Sequence, residues 1–309
     1  MSSHEVSRRG LHFALNDTLF LQIPILKVHD TLQLDMANIN RKVLPGFSLT
    51  LGYTVFYLSI LVLLPIMACF FKASSLSFQQ FWVAVWTERA RAAYALTFGA
   101  AFVAALVNLM LGLLLAWVLV RYTFPGKKIV DSLVDLPLAL PTAVGGLVYA
   151  SLYVEKGWLG QYLVPLGFHG AYTRFGIVLV LVFVGLPFVV RTVQPILEDL
   201  DPEAEEASAS LGATRWQTFC RVILPTLYPA LITGFALAFA RGVGEYGSVV
   251  FVSGNMPYKT EIAPVLIVAR LEEFAYGEAT AIAVVLLVLS FAMLVIINQL
   301  ERWSMRHEH

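Results

Sequence analysis

Residues 92–120 read AAYALTFGAAFVAALVNLMLGLLLAWVLV, 29 positions without a charged side chain. The hydrocarbon core of a bilayer is about 30 Å thick, and a helix crosses it with roughly 20 apolar residues. The stretch exceeds that length and predicts a spanning helix with residues to spare for tilt. Working outward, five more stretches meet or approach the same length, at 49–71, 129–153, 174–192, 226–252 and 279–300. The 129–153 stretch is interrupted by Asp131, Asp135, Pro137 and Pro141. Proline frees backbone carbonyls that protein or water must satisfy. That stretch is therefore expected to be either a broken helix lining a cavity or a kinked span. Pro65, Pro187 and Pro264 read as kinks or helix ends. Composition agrees with a membrane setting: 58% of the 309 residues are hydrophobic and 14% are charged, where soluble domains carry about 25% charge. The expected fold is an all-α integral membrane protein with six transmembrane helices.

Orientation follows from lysine and arginine, which concentrate on cytoplasmic loops. With the N-terminus inside, 13 of the 21 cations lie in inside segments and seven outside, with Arg241 within a span. Both termini and the polar segment 193–225 are thus expected on the cytoplasmic side. Residues 1–45 form a cytoplasmic tail of mixed charge, too briefly apolar for a signal peptide. Met36 is the expected translation start, with a genuine tail as the alternative. The transmembrane domain is placed at 46–303, its core at about 92–300, and a C-terminal tail at 304–309. Trp82, Trp86, Trp158 and Trp303 lie near the predicted interfaces, as belt aromatics do.

Several function classes lose support here. Zero formal charge gives no argument for nucleic acid as a partner. Cys69 and Cys220 make no disulfide framework, and six scattered histidines suggest no metal site. A membrane enzyme would need a cluster of His, Cys or paired carboxylates, and none is apparent. An ion-driven secondary transporter would carry an inverted repeat with matched broken helices, and no repeat is evident.

The segment 201–225 is DPEAEEASASLGATRWQTFCRVILP. Asp201 is a good N-cap and Pro202 suits the first helical position. Glu203, Glu205 and Glu206 fall in or near the first turn, where the helix dipole favours anions. Gly212 is a natural terminator. Thr214 to Gln217 reads as a capping box opening a second helix, and Pro225 marks the start of the fifth span. The prediction is helix, tight turn, helix at the membrane face. Ala204, Ala207, Ser208 and Ala209 make the first helix small-sided, so that another protein could approach it closely. Local physics alone favours a plain linker between spans, since capped short helices are common.

The spacing within this segment is more specific. Glu206-Ala207-Ser208, then Gly212 after three residues, then Val222, Leu224 and Pro225 resemble the cytoplasmic loop of binding-protein-dependent ABC permeases. Ser208 replaces the second alanine of that pattern, small for small. A narrower resemblance runs from about 43 to 303. Leu44–Phe47, Asp135–Val144, Pro187–Pro195, Leu211–Gln217, Gly244–Phe251, Gly254-Asn255 and Lys259–Glu261 are similar to the T-type subunit of sulfate/thiosulfate permeases. Molybdate permeases share the loop and a similar Gly-Glu-aromatic-Gly segment, leaving a molybdate or tungstate permease as the alternative.

This resemblance implies a type I ABC importer permease of the bacterial inner membrane, carrying a cytoplasmic coupling helix between spans four and five. Glu206, Ala207, Ser208, Gly212, Leu224 and Pro225 would form the loop that inserts into the ATPase. The implied partners are a second permease subunit, two ATP-binding subunits and a periplasmic sulfate-binding protein. Magnesium-ATP would be bound and hydrolysed by those subunits, so this chain is expected to hold no cofactor and to be no enzyme.

Arg241 and Glu245 are four apart and are expected to share a helix face. Charges inside a span are expensive, about 2.5–3.5 kcal/mol each on insertion scales. One reading lines the translocation path with them; the other makes them an internal ion pair that holds helices together. Gly242–Gly247 formally fits G-x-G-x-x-G, but a nucleotide fingerprint needs a preceding strand in a βαβ unit.

Overall fold

The structure, a computed structural model, describes residues 47–305. The 1–45 tail, Met36 included, and residues 306–309 lie outside the described residues. The chain divides into two units at Pro65 and Ile66, each described by itself. In the first, α1 (Phe47–Leu58) leads into a π-helical turn at Ser59–Leu63. The helix continues as α2 (Leu64–Ala73), giving one apolar 25-residue stretch from Leu49 to Ala73.

In the second unit, Ser77 opens α3 (Phe78–Val85) with a capping box to Gln80, and Thr87 caps the 34-residue α4 (Glu88–Arg121). Three short helices follow: α5 (Lys127–Val134), α6 (Leu136–Ala139) and α7 (Thr142–Tyr153). Next come α8 (Gly160–Leu163) and the long α9 (Arg174–Glu198). Beyond it lie α10 (Pro202–Ser210), α11 (Arg215–Thr218) and α12 (Leu224–Val243). The remaining helices are α13 (Val249–Val252), α14 (Ala263–Glu272) and α15 (Tyr276–Met305). No strand occurs among the described residues, so the glycines at 242–247 have no βαβ context.

The centre is a three-helix junction of α4, α9 and α12. Ala101, Ala104 and Ala105 of α4 meet Val180, Val189 and Val193 of α9 and Leu227 and Phe239 of α12. Lipid is as apolar as leucine, so helices in a bilayer associate through close packing, which small residues permit. The N-terminal part of α4 packs separately on α14 and α15 through Ala90, Ala93, Leu266 and Ile282. On α3, Phe78, Trp82 and Trp86 form an exposed aromatic ladder with centroids 6.3 and 5.8 Å apart.

Among the described residues, five helices are long and apolar enough to cross a membrane. The 129–153 stretch is the exception, because it is divided twice. Asp135 closes α5, its N–H turning back to the Ser132 carbonyl at 3.2 Å. Leu140 then adopts ψ 137°, as expected of a residue preceding proline, for which the helical region is crowded.

Two further expectations are corrected. The second loop helix is continuous with the fifth span: Arg215–Val243 is a single 29-residue helical stretch. Pro225 therefore lies inside it and does not mark its start. A π-helical segment at Phe219–Ile223 precedes the proline, with Leu224 N–H reaching back to the Phe219 carbonyl. Such a turn adjusts the ladder just where proline lacks a donor. The same helix stops at Val243 instead of running to 252, since Gly244–Ser248 forms a turn before α13.

Candidate functional site

The loop after α9 is a pair of capped helices. Asp201 accepts from Glu203 N–H at 2.9 Å, Pro202 occupies the first turn, and α10 ends at Ser210. Gly212 follows with φ +79°. Its N–H bonds the Ala209 carbonyl at 2.9 Å, and Ala213 N–H bonds the Ser208 carbonyl at 3.0 Å. These two bonds make a Schellman turn, whose left-handed position suits glycine. Thr214 and Gln217 then form the expected capping box.

The tip of this loop is apolar and uncovered. Leu211 is 89% exposed and Trp216 72% exposed. Beside them is a recess of about 400 Å³ lined by Ser208, Leu211, Gly212, Thr218, Arg221 and Val222 among others. Glu206, Ala207 and Gly212 lie on the exposed face. Leu224 and Pro225 are half-buried in the first turn of α12 and do not join it. Ser208 does more than fill space: its hydroxyl lies 2.8 Å from that of Thr218, fastening α10 to α11.

The loop is tied to the helical body by contacts that sequence reasoning missed. Glu205 pairs with Arg121 at the end of α4. Arg121 also lies over Trp117, 5.2 Å from the ring centroid, and Trp117 meets Phe219 edge-on at 5.5 Å. Within α9, Arg191 makes a bidentate contact with Asp135 (2.9 and 2.6 Å) and reaches Asp131 at 2.7 Å. Elsewhere, Arg89 grips the buried Glu261 with two bonds of 2.7 and 2.6 Å. The ion pairs among these contacts join residues 56 to 172 positions apart, a separation no local spacing rule reaches.

Arg241 and Glu245 form an ion pair. Arg241 is in the last turn of α12, but Glu245 lies beyond the helix, in the turn after Gly244. Glu245 is 1% exposed, and its Oε1 accepts from the backbone and hydroxyl of Ser248 at 2.8 and 2.9 Å. The arginine side chain remains 33% exposed. The turn is backed by α7, whose Gly146 touches it directly. A Cβ on Gly146 would fall 2.2 Å from the Ser248 carbonyl oxygen. Backbone cannot retreat as a flexible side chain can, and overpacking costs about 1–3 kcal/mol. Gly146→Val should therefore lower the melting temperature of the detergent-purified protein by several degrees, with Gly52→Ala, in open space, as the silent control.

Among the described residues, no group of three or more His, Cys, Asp or Glu is placed to hold a metal ion.

The described residues thus form an all-helical apolar bundle with an exposed capped loop. Residues 108–306 match the family described as binding-protein-dependent transport system inner membrane component. The chain belongs to that family. It is 48% identical over 262 residues to the sulfate transport system permease protein CysT of Escherichia coli, covering 85% of this chain and 95% of that one. The Synechocystis protein of the same name is 52% identical over 254 residues, covering 82% and 89%. Among solved structures, a bacterial ABC transporter involved in the import of the acidic polysaccharide alginate matches with a TM-score of 0.70 at 17% identity, covering 86% of this chain and 98% of that one. The fold is that of a type I ABC importer permease.

Proposed function

We propose that this chain is a membrane-spanning subunit of an ATP-driven importer that moves sulfate, and thiosulfate as a second substrate, into the bacterial cytoplasm. Identity near one half across 89–95% of the length of relatives named for sulfate transport carries the assignment. The chain crosses the inner membrane six times with both termini inside, α5 to α7 together making the third crossing. A second permease subunit pairs with it, and a periplasmic sulfate-binding protein delivers the anion. Two ATP-binding subunits bind and hydrolyse ATP. One of them receives the exposed face of α10 and the tip at Leu211–Trp216. Uncovered leucine and tryptophan beside small residues are what a partner groove buries.

Arg241 faces the translocation path, with the buried Glu245 behind it as its partner. Paired with glutamate, the arginine attracts an anion without holding it as a bare buried cation would. The test is uptake of radiolabelled sulfate in cells lacking their own sulfate permeases, supplied with the complete set of subunits. Uptake is expected to stop when the ATP-binding subunit is omitted. Excess thiosulfate should compete, and equal molybdate or tungstate should not. Uptake that persists without that subunit and collapses with an ionophore would establish a secondary transporter instead.

A further inference from the structure

Arginine carries five N–H donors in a rigid fork, and Arg191 uses all of them. Nε and one Nη2 hydrogen reach the two carboxylate oxygens of Asp135, at 2.9 and 2.6 Å. Nη1 reaches Asp131 Oδ1 and Gln194 Oε1, both at 2.7 Å. The second Nη2 hydrogen reaches the Asp131 backbone carbonyl at 3.0 Å. A guanidinium saturated in this way holds three segments in one geometry: α9, the end of α5, and the Asp135 junction that starts α6.

What lies on either side of this joint gives it a purpose. Toward the loop, Gln194 donates to Glu198 at 3.1 Å, at the end of α9 and three residues from the Asp201 cap of α10. Away from the loop, α6 leads through Pro141 into α7. That helix meets the Ser248 backbone at Gly146 with no room for a single added carbon. Ser248 is the residue that Glu245 holds through two hydrogen bonds, and Glu245 holds Arg241. Arg191 thus stands between the docking loop, reached along α9, and the Arg241–Glu245 turn, reached through α6, the break at Pro141 and the close contact of α7 with Ser248.

We propose that Arg191 is the positioning residue through which displacement of the docking loop reaches the Arg241–Glu245 turn, coupling ATP hydrolysis in the partner to opening of the path. The role rests on the importer reading above. Lysine, with one ammonium and three donors, cannot span the same acceptors.

The test uses the whole complex in proteoliposomes with sulfate-loaded binding protein, reading sulfate moved per ATP hydrolysed. In Arg191→Gln and Arg191→Lys the ATP-binding subunits should copurify at the normal ratio and hydrolysis should continue. Sulfate moved per ATP should fall at least tenfold. Asp135→Asn, which keeps the Asp131 and Gln194 bonds, should show the same direction with a smaller loss. An unchanged ratio would overturn the proposal. So would uptake and hydrolysis that fall only in step with the amount of assembled complex, or failure of all three variants to assemble, since either makes Arg191 a structural staple. The unaltered complex without ATP is run alongside: sulfate uptake there would sink the importer reading itself, whereas ATP-dependent uptake with an unchanged ratio in the variants sinks only the role of Arg191.

Discussion

Replacing Gly212 with aspartate is expected to leave the chain in the membrane at its normal level while attachment of the ATP-binding subunit weakens at least tenfold and uptake is lost. The residue has φ +79°, a left-handed position that glycine takes freely and aspartate at some cost, less than other side chains. A Cβ there meets nothing within 4 Å, so the substitution adds no clash within the chain. The new carboxylate would stand at the C-terminal end of α10, where the dipole disfavours it by about 0.3–1 kcal/mol. It would also have to be desolvated beside Leu211 whenever the loop enters an apolar groove. The backbone and dipole terms act on the free and docked chain alike, so the loss of attachment comes from burying the new carboxylate, and every 1.4 kcal/mol of that penalty is a factor of ten in affinity. The spans do not depend on this turn. A pull-down from detergent extracts, run beside sulfate uptake, reads both effects. Ser208→Ala provides the scale: it removes the hydroxyl contact with Thr218, worth about 0.5–1.5 kcal/mol, and should dent attachment without abolishing it. Full attachment and full uptake in Gly212→Asp would make the segment a linker.

The second large effect is asymmetric. Arg241→Ala leaves Glu245, 1% exposed, with only the Ser248 donors. Removing one partner of a buried pair costs about 3–5 kcal/mol. Glu245→Ala leaves an arginine whose side chain is one-third exposed and can find other partners. Arg241→Ala should therefore be the more damaging single change, cutting both assembled protein and transport. Arg241→Ala combined with Glu245→Ala should recover part of the loss, because no unpaired charge remains. Membrane levels and uptake across the four-member cycle read this out. A double variant that loses the full sum of its singles would mean that the two residues act separately.

Much of this was legible in the sequence because it is local. The Asp201 cap, the turn at Gly212 and the capping box at Thr214 each depend on neighbours within a few residues, and the structure places all three as read. Apolar length was equally readable for the uninterrupted stretches. The failures come where a local signal was right but its consequence was set by tertiary contacts. Asp131 and Asp135 were visible as interruptions of a span, yet their partner is Arg191, 60 and 56 positions later. Pro225 looked like a helix start, and the π-helical turn before it carries the helix through. Glu245 was read as a helix-face partner of Arg241. It does pair with that arginine, but from a turn held by Ser248 and backed by α7, a contact absent from any spacing rule. The docking-loop residues divide for the same reason. Glu206, Ala207 and Gly212 are exposed and Ser208 turns in to Thr218, while Leu224 and Pro225 belong to the helix beneath.

The most direct measurement is sulfate uptake by proteoliposomes containing this chain, its permease partner and the ATP-binding subunits, with sulfate-loaded binding protein on one side and ATP on the other. Uptake is predicted only when ATP faces the 201–217 loop and hydrolysis is permitted, and it should disappear with Gly212→Asp. Uptake driven by an imposed ion gradient without ATP, or unaffected by that substitution, would contradict the account.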